Sequence, residues 1–165
     1  PTHRQGSGTL IKGDANMFES SDISSINSHS FVRLLKVKNS DLDHALNILN
    51  ATLSKNNFPL PQIIDARFDK PDSNILITGP KENILPLMDA LLNQSAIEIA
   101  SDHLSSVTVT GIGMSATATV QRLTHWLTQN GIKISSIILS PLSCTFVISE
   151  KDRENAIKTL HKFEQ

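Results

Sequence analysis

The sequence predicts an α+β protein made of two small repeats of strands and helices. The order strand–helix–strand–strand–helix occurs twice, with an offset of about 75 residues. Within each repeat, apolar residues recur at helical spacings of three and four, between turns that contain Pro or Gly. Hydrophobic residues make up 39% of the 165 residues, which is enough to build a packed core.

The first repeat follows a polar segment at 1–30. Its predicted elements are a strand at 31–37, a helix from 42 to about 55, strands at 62–68 and 74–78, a helix at 81–93 and a strand at 96–100. Asn39, Ser40 and Asp41 directly precede the first helix and are residue types that cap helices. This unit therefore reads βαββαβ.

The second repeat lacks a final strand. Its predicted elements are a strand at 106–110, a helix at 117–130, strands at 134–139 and 143–149, and a helix at 150–163. Gly131 follows the first of these helices, where a left-handed C-cap is expected. Since an unfilled slot would leave an open sheet edge, we expect the segment 22–30, with Ile23 and Ile26, to fill it. Both units are then ferredoxin-like and interleaved, each with a four-stranded antiparallel sheet and two helices on one face.

Composition and charge exclude several classes of protein. Fifteen basic and 16 acidic residues give a net charge of −1, and aromatic residues are scarce, which argues against nucleic-acid binding. The single cysteine, Cys144, excludes an intrachain disulfide and a cysteine metal cage. The six histidines show no metal-binding spacing. No apolar run reaches the roughly 18 residues of a membrane span, and no signal peptide is visible, so we expect a cytoplasmic protein.

One motif resembles a nucleotide-binding fingerprint. Gly111, Gly113 and Ala116 form G-x-G-x-x-A between a predicted strand and a predicted helix, as in dinucleotide-binding enzymes. That chemistry needs an acidic residue at the end of the next strand, but 134–140 contains none, and the next acid is Glu150. A dinucleotide-binding enzyme fragment therefore stays as a rival hypothesis.

The same loop suits a smaller anion. Its glycines allow close approach of the backbone, and the free amides at the Thr117 helix N-terminus favour an anion such as the carboxylate of a small metabolite. A plain strand-to-helix turn explains the same residues, and the sequence leaves both interpretations open.

No set of residues resembles a catalytic site. Cys144 has no histidine near it in sequence, and a buried structural thiol is the expected role. Asp41 and Asp43 are expected to cap and stabilise a helix N-terminus. The segment 151–154 is expected to be a solvated helix start. We therefore predict no catalytic residues and no metal ligands.

The second half of the chain resembles the last ACT domain of aspartate kinases. The matching stretches are VTVTGIGM at 107–114, NGIKISSI at 130–137, the S-x-x-S-C-T-F-V-I hairpin at 140–148, and EKDRENAIKTLHKF at 150–163. Near the N-terminus, GTLI at 8–11 resembles the G-T-x-I that closes the kinase domain in that family. The chain begins with Pro1 instead of Met, which we interpret as a sign of excision from a longer protein.

The resemblance implies a domain organisation and a role. It implies a linker from an absent kinase domain at 1–21, a strand at 22–30 completing the second ACT unit, a first unit at 31–104 and a second at 105–165. The chain alone would not be an enzyme and would need no cofactor, whereas its parent, either a kinase alone or a bifunctional fusion, would use ATP and Mg. Expected partners are its own kinase domain, a second copy in a homodimer, and an end-product amino acid, lysine or threonine, in lysine, threonine or methionine biosynthesis.

The resemblance also directs attention to the two strand-to-helix loops. The candidate effector-binding residues are Gly111, Ile112, Gly113, Met114, Ser115, Ala116, Thr117, Asn39, Ser40 and Asp41. The first loop is shorter than the effector-binding loops of the family and has neither their Met nor their Gly. A ligand-free dimerisation module is the remaining alternative.

Overall fold

A computed structural model describes residues 22–163, and the predicted linker at 1–21 lies outside the described residues. Six strands form one antiparallel sheet in the order β2-β3-β1-β4-β6-β5. The elements are β1 (Asp22–Val37), α1 (Leu42–Asn56), β2 (Gln62–Asp69), β3 (Asp72–Thr78), α2 (Lys81–Leu92), β4 (Ile97–Ile112), α3 (Thr117–Gln129), β5 (Ile134–Ser140), β6 (Ser143–Ser149), a 3₁₀ turn (Glu150–Asp152) and α4 (Arg153–His161). None of the helices between residues 22 and 163 is long and apolar enough to cross a membrane.

Two long strands, β1 and β4, run through both halves of the sheet. Each has 16 residues, and they pair with each other along most of their length. The first half of β1 lies beside the second half of β4, as in the pair Ile26–Val109, whereas Leu35 pairs with Ile99 and, on its other side, with Ile75. This shared pair of strands interleaves the two repeats, and the ferredoxin-like fold class is confirmed.

The continuity of these strands corrects the sequence analysis. We expected separate strands at 22–30 and 31–37, and again at 96–100 and 106–110, because polar residues interrupt the apolar pattern at both places. No Gly or Pro interrupts 22–37 or 97–110, and each run forms a single strand, although Phe31 within the first has a left-handed φ of 58°. Irregularities in the ladder, for example between His29 and Val32, absorb the change in register.

The helix pairs cover two separate cores on one face of the sheet. In the first core, residues of α1 and α2 such as Leu49 and Leu87 pack against Leu35 and Ile77. In the second, Leu123 and Leu127 of α3 and Leu160 of α4 pack with Val109 and Phe146. In both cores, the buried helix residues are those that the apolar spacing of three and four predicts. The expected helix at 150–163 is replaced by the short 3₁₀ turn followed by α4.

Within residues 22–163, no helix covers the other face of the sheet. A small apolar cluster lies at its centre, with Val32, Leu76, Leu104 and Val147 buried. Residues of both edge strands, β2 and β5, line a single cavity of about 200 Å³ above this cluster. The sheet therefore curls towards its open face. The domain boundaries drawn from the resemblance stay predictions.

Candidate functional site

Seven of the candidate residues form one continuous segment, which includes the end of β4, the loop at 113–116 and the first residue of α3. Gly113 adopts a left-handed conformation with φ of 74°, which suits glycine. The Gly111 amide donates to the Leu142 carbonyl at 2.9 Å, and the Ala116 amide donates to the Gly113 carbonyl at 3.0 Å. Helix α3 then begins at Thr117 without a side-chain cap. We call residues 111–117 the second loop.

The side chain of Met114 fixes the second loop to the core. The residue as a whole is 0% exposed and packs among the side chains of the second core, so Met114 anchors the loop and does not face a ligand. Ser115 and Thr117 are exposed, and Ile112 is 51% exposed. The structure therefore brings these candidates together but leaves their role in binding a prediction.

Backbone dipoles dominate the electrostatics of the second loop. The segment 104–121 contains no charged residue. The backbone amides of Gly113, Met114 and Ser115 donate to no acceptor among the described residues. Free amides beside a helix N-terminus give a partial positive charge that attracts an anion.

The loop between β1 and α1 contains the other three candidates and is held by internal hydrogen bonds. We call residues 38–41 the first loop. The Lys38 amide donates to the Ala96 carbonyl at 2.9 Å, and the Ser40 amide donates to the Pro71 carbonyl at 3.1 Å. Asp41 caps α1, as predicted, because its Oδ1 accepts from the His44 amide at 2.9 Å.

The remaining amide of the first loop is bound by a carboxylate from the chain itself. Asn39, which has a φ of 49°, donates its amide to Oδ1 of Asp72 at 2.9 Å. The other oxygen of Asp72 lies 3.1 Å from Lys36 Nζ. The sequence analysis placed Asp72 between two predicted strands, at 62–68 and 74–78, and gave it no role. An acidic residue in the turn that follows β2 was the available signal.

These contacts change the titration of Asp72. The hydrogen bond from the Asn39 amide, followed by the one from Lys36, holds the pKa of the Asp72 carboxyl below its ordinary value of 3.8. The same ion pair raises the pKa of Lys36 above 10.5. The ionised form of Asp72 is therefore the form that holds the first loop in place.

We expect the stabilising effect of Asp72 to depend on pH. A carboxyl whose pKa is lower in the folded state stabilises above its unfolded pKa, and the effect is lost as pH falls through the folded pKa. The difference in unfolding free energy between wild type and Asp72→Asn should therefore be present at about pH 7 and shrink towards about pH 2. Urea titrations at both pH values measure it, and Asp43→Asn at the exposed start of α1 is the control. A pH-independent difference would contradict this prediction.

Cys144 behaves as a structural thiol. Its side chain is fully buried in the second core, and burial raises its pKa to about 12. We expect no reaction with Ellman's reagent in the folded protein at about pH 8, since the thiolate is the reactive form. Full reaction should follow unfolding in guanidinium. Rapid labelling of Cys144 in the folded chain would contradict this prediction and would show that strand β6 opens locally.

The rival nucleotide-binding hypothesis finds little support in the geometry. Dinucleotide-binding motifs join parallel strands through a helix, whereas every ladder between residues 22 and 163 is antiparallel. Strand β5, where the ribose-binding acid would lie, carries none. Within the same residues, no group of three or more His, Cys, Asp or Glu side chains is placed to hold a metal ion.

Part of the chain matches a known family model. Residues 99–162, which include the whole second loop, match the family model of the ACT domain. A comparison with curated proteins gave no significant sequence match.

Solved structures match the fold over most of the chain. The regulatory subunit of aspartate kinase from Thermus thermophilus, in its ligand-free form, has a TM-score of 0.67 at 13% identity, with coverage of 87% of this chain and 100% of that one. Aspartokinase III from E. coli, in complex with lysine and aspartate in the T-state, has a TM-score of 0.58 at 16% identity, covering 87% and 33%. The aspartate kinase of Clostridium acetobutylicum has a TM-score of 0.60 at 16% identity, covering 86% and 34%.

The chain thus spans about a third of the length of the two kinases and the full length of the separate regulatory subunit. At these identities the matches establish the fold. Residues 99–162 match the family model of the ACT domain, and the described residues have the fold of the regulatory regions of aspartate kinases.

Proposed function

We propose that this chain is the regulatory region of an aspartate kinase and that it binds an end-product amino acid, lysine or threonine, at the second loop. The observation that carries the proposal is that the amides of Gly113 and Ser115 have no acceptor within residues 22–163 and lie next to the N-terminus of α3, which has no side-chain cap. The ACT family match covers this loop. The E. coli relative, whose fold is similar, was solved with lysine bound.

In this proposal, the α-carboxylate of the amino acid is held by the backbone. It accepts hydrogen bonds from the loop amides and is stabilised by the positive end of the α3 dipole. The exposed hydroxyls of Ser115 and Thr117 lie on the same loop and offer acceptors for the α-ammonium group. The side chain of Met114 keeps the backbone in place from below, because it is buried in the second core.

The position of the second loop suggests how binding reaches an attached kinase domain. Strand β1 begins beside this loop, where Asp22 pairs with Ile112 and Ile23 pairs with Gly111. The predicted linker at 1–21 directly precedes Asp22 in the sequence. A ligand that favours one arrangement of the second loop therefore biases the start of β1, and the kinase domain responds to that bias.

We further propose that the chain forms a homodimer. Its edge strands β2 and β5 carry large exposed apolar side chains, with Phe68 at 47% and Leu139 at 49% exposure. Unpaired strand edges with apolar side chains favour association with another chain. Sedimentation at several concentrations measures the dimer, and a monomer at all of them would contradict it.

Calorimetric titration of the chain with lysine, threonine, methionine and NAD tests the proposed ligand. We expect one of the amino acids to bind and NAD not to bind. Binding of NAD would favour the dinucleotide hypothesis. A dimer that binds none of the four would favour the ligand-free dimerisation module.

A further inference from the structure

The face of the sheet that no described helix covers holds a cavity of about 200 Å³ between the edge strands β2 and β5. Since a water molecule takes about 30 Å³ in the liquid, this is the volume of roughly seven waters, which suits a ligand the size of an amino acid. On the β5 side, Ser135 and Ser136 line the cavity. We call this space the open-face cavity. Its lining includes no residue of either strand-to-helix loop.

The floor of the open-face cavity is apolar and joins the two repeats. Leu76 of β3, Leu104 of β4 and Val147 of β6 are buried and line the cavity, together with the partly buried Leu34 of β1. Pockets for small molecules combine such apolar surfaces with a few polar groups that orient the ligand. The floor therefore suits an aliphatic chain, and the polar groups that accompany it decide which one.

The β2 wall of the cavity carries three charged side chains on alternate residues, those of Asp65, Arg67 and Asp69. Ala66 packs against the first core on the opposite face, so the alternation of the strand turns the charged residues towards the cavity. Arg67 Nε donates to Oδ2 of Asp65. Asn74 Nδ2 donates to Oδ2 of Asp69 at 2.7 Å. The chain therefore holds both carboxylates beside the cavity.

These contacts leave groups of both charges available to a ligand. Among residues 22–163, the two Nη groups of Arg67 donate to no acceptor, and Oδ1 of Asp65 accepts from no donor. Two carboxylates and one guanidinium give the β2 wall a formal charge of −1. Lys36 and Asp72 line no part of the cavity and form an ion pair with each other at 3.1 Å, so they leave this balance unchanged.

From this arrangement we propose that the open-face cavity binds a basic amino acid, a molecule with one carboxylate, two ammonium groups and an aliphatic stem. The carboxylate accepts two hydrogen bonds from the Nη groups of Arg67, the paired geometry in which a guanidinium binds a carboxylate best. The α-ammonium group donates to Asp65. The excess negative charge of the β2 wall favours a ligand with one excess positive charge.

The rest of the ligand lies across the sheet. Its aliphatic stem covers the apolar floor towards β5, where the hydroxyls of Ser135 and Ser136 accept from the terminal ammonium group. Such a ligand contacts strands of both repeats at once and holds the two edges of the sheet together. The site is distinct from the second loop, and the inference goes beyond the function proposed there.

NMR titration of the chain with lysine tests the site, because it shows where the ligand binds. We expect shifts in the amide signals of residues 65–69 and 135–136 and in the methyl signals of Leu76 and Val147. Norleucine, which lacks the terminal ammonium group, and 1,5-diaminopentane, which lacks the carboxylate, should each bind about tenfold or more weakly than lysine. If lysine leaves all these signals unchanged, the proposal is wrong, and the charges of β2 only protect an exposed strand edge.

Substitutions that remove one charge test which groups hold the ligand. Arg67→Gln and Asp65→Asn should each weaken lysine binding by about tenfold or more. The matched controls are Arg122→Gln on α3 and Asp43→Asn on α1, which are exposed and lie outside the cavity, and neither should change the affinity. Neither cavity residue is buried, so we expect all four variants to fold. Wild-type affinity in Arg67→Gln would overturn the proposed carboxylate contact.

Failure of the proposed function at the second loop has a different signature. Lysine bound at that loop shifts the amide signals of residues 113–115, and lysine bound in the open-face cavity shifts those of residues 65–69. Shifts at 65–69 that disappear in Arg67→Gln support the cavity whether or not residues 113–115 respond. Shifts at 113–115 alone would support the second loop and overturn the open-face site.

Discussion

Replacing Phe146 by alanine should lower the unfolding free energy by about 3–5 kcal/mol, the usual cost of emptying a buried aromatic site. Phe146 is fully buried in the second core, on β6 between Val107 of β4 and Ile137 of β5. Domains of this size are stable by only about 5–15 kcal/mol, so the variant should lose a large part of its stability. Urea unfolding followed by far-ultraviolet circular dichroism measures the loss.

The control is Phe68→Ala on the edge strand β2. Phe68 is 47% exposed, so its removal should cost much less than that of Phe146. A loss below about 1 kcal/mol for Phe146→Ala would contradict the packing described here.

The same experiment tests whether the two halves unfold together. Trp126, the only tryptophan, donates its indole N–H to the Thr159 carbonyl at 2.8 Å and reports on the α3–α4 half. Circular dichroism reports on both halves. Because β1 and β4 belong to both cores, the two signals should change at the same urea concentration, and separate transitions would show that the halves are independent.

Replacing Gly113 by valine should weaken amino-acid binding by about tenfold or more, if the proposed function is correct. Gly113 has a φ of 74°, where a β-branched residue is strongly disfavoured, so the second loop must change its backbone path. The amides of the following residues then no longer converge on one carboxylate. Calorimetry with the amino acid that binds the wild type measures the effect.

Gly131→Val is the matched control for this substitution. Gly131 has a φ of 78° and no atom within 4 Å of an added Cβ, and it follows α3 at the end opposite the second loop. Both variants should lose about 1–2 kcal/mol of stability from backbone strain. Only Gly113→Val should lose binding, and equal losses in both would mean that strain, and not the loop, controls affinity.

The elements themselves were predictable because their signals are local. The apolar stripe of Leu123 and Leu127 predicts one face of α3, and Asp41 predicts the start of α1 through its capping side chain. Gly131 likewise has the left-handed conformation that its position predicts. Each of these depends on residues a few positions apart in the chain.

The candidate site was predictable only in part. The glycines of the second loop marked it as a place of close backbone approach. The sequence did not indicate that Met114 points into the core, because a methionine in a loop suits an exposed role equally well. Nor did it indicate that Asp72 binds the Asn39 amide, since that contact joins residues 33 positions apart.

The sequence alone determined the order of helices and strands, the repeat and the need for a borrowed strand, because hydrophobic spacing and turn residues act over short distances. Only the tertiary structure decided that β1 and β4 run unbroken through both units, which depends on pairing between distant segments such as Ile26 and Val109. It also decided that the two loops differ, since a carboxylate reaches a loop amide only when a folded hairpin carries it there. The sequence repeat predicts two similar units. In the folded chain they differ, because Asp72 at the β2–β3 turn binds the Asn39 amide of the first loop.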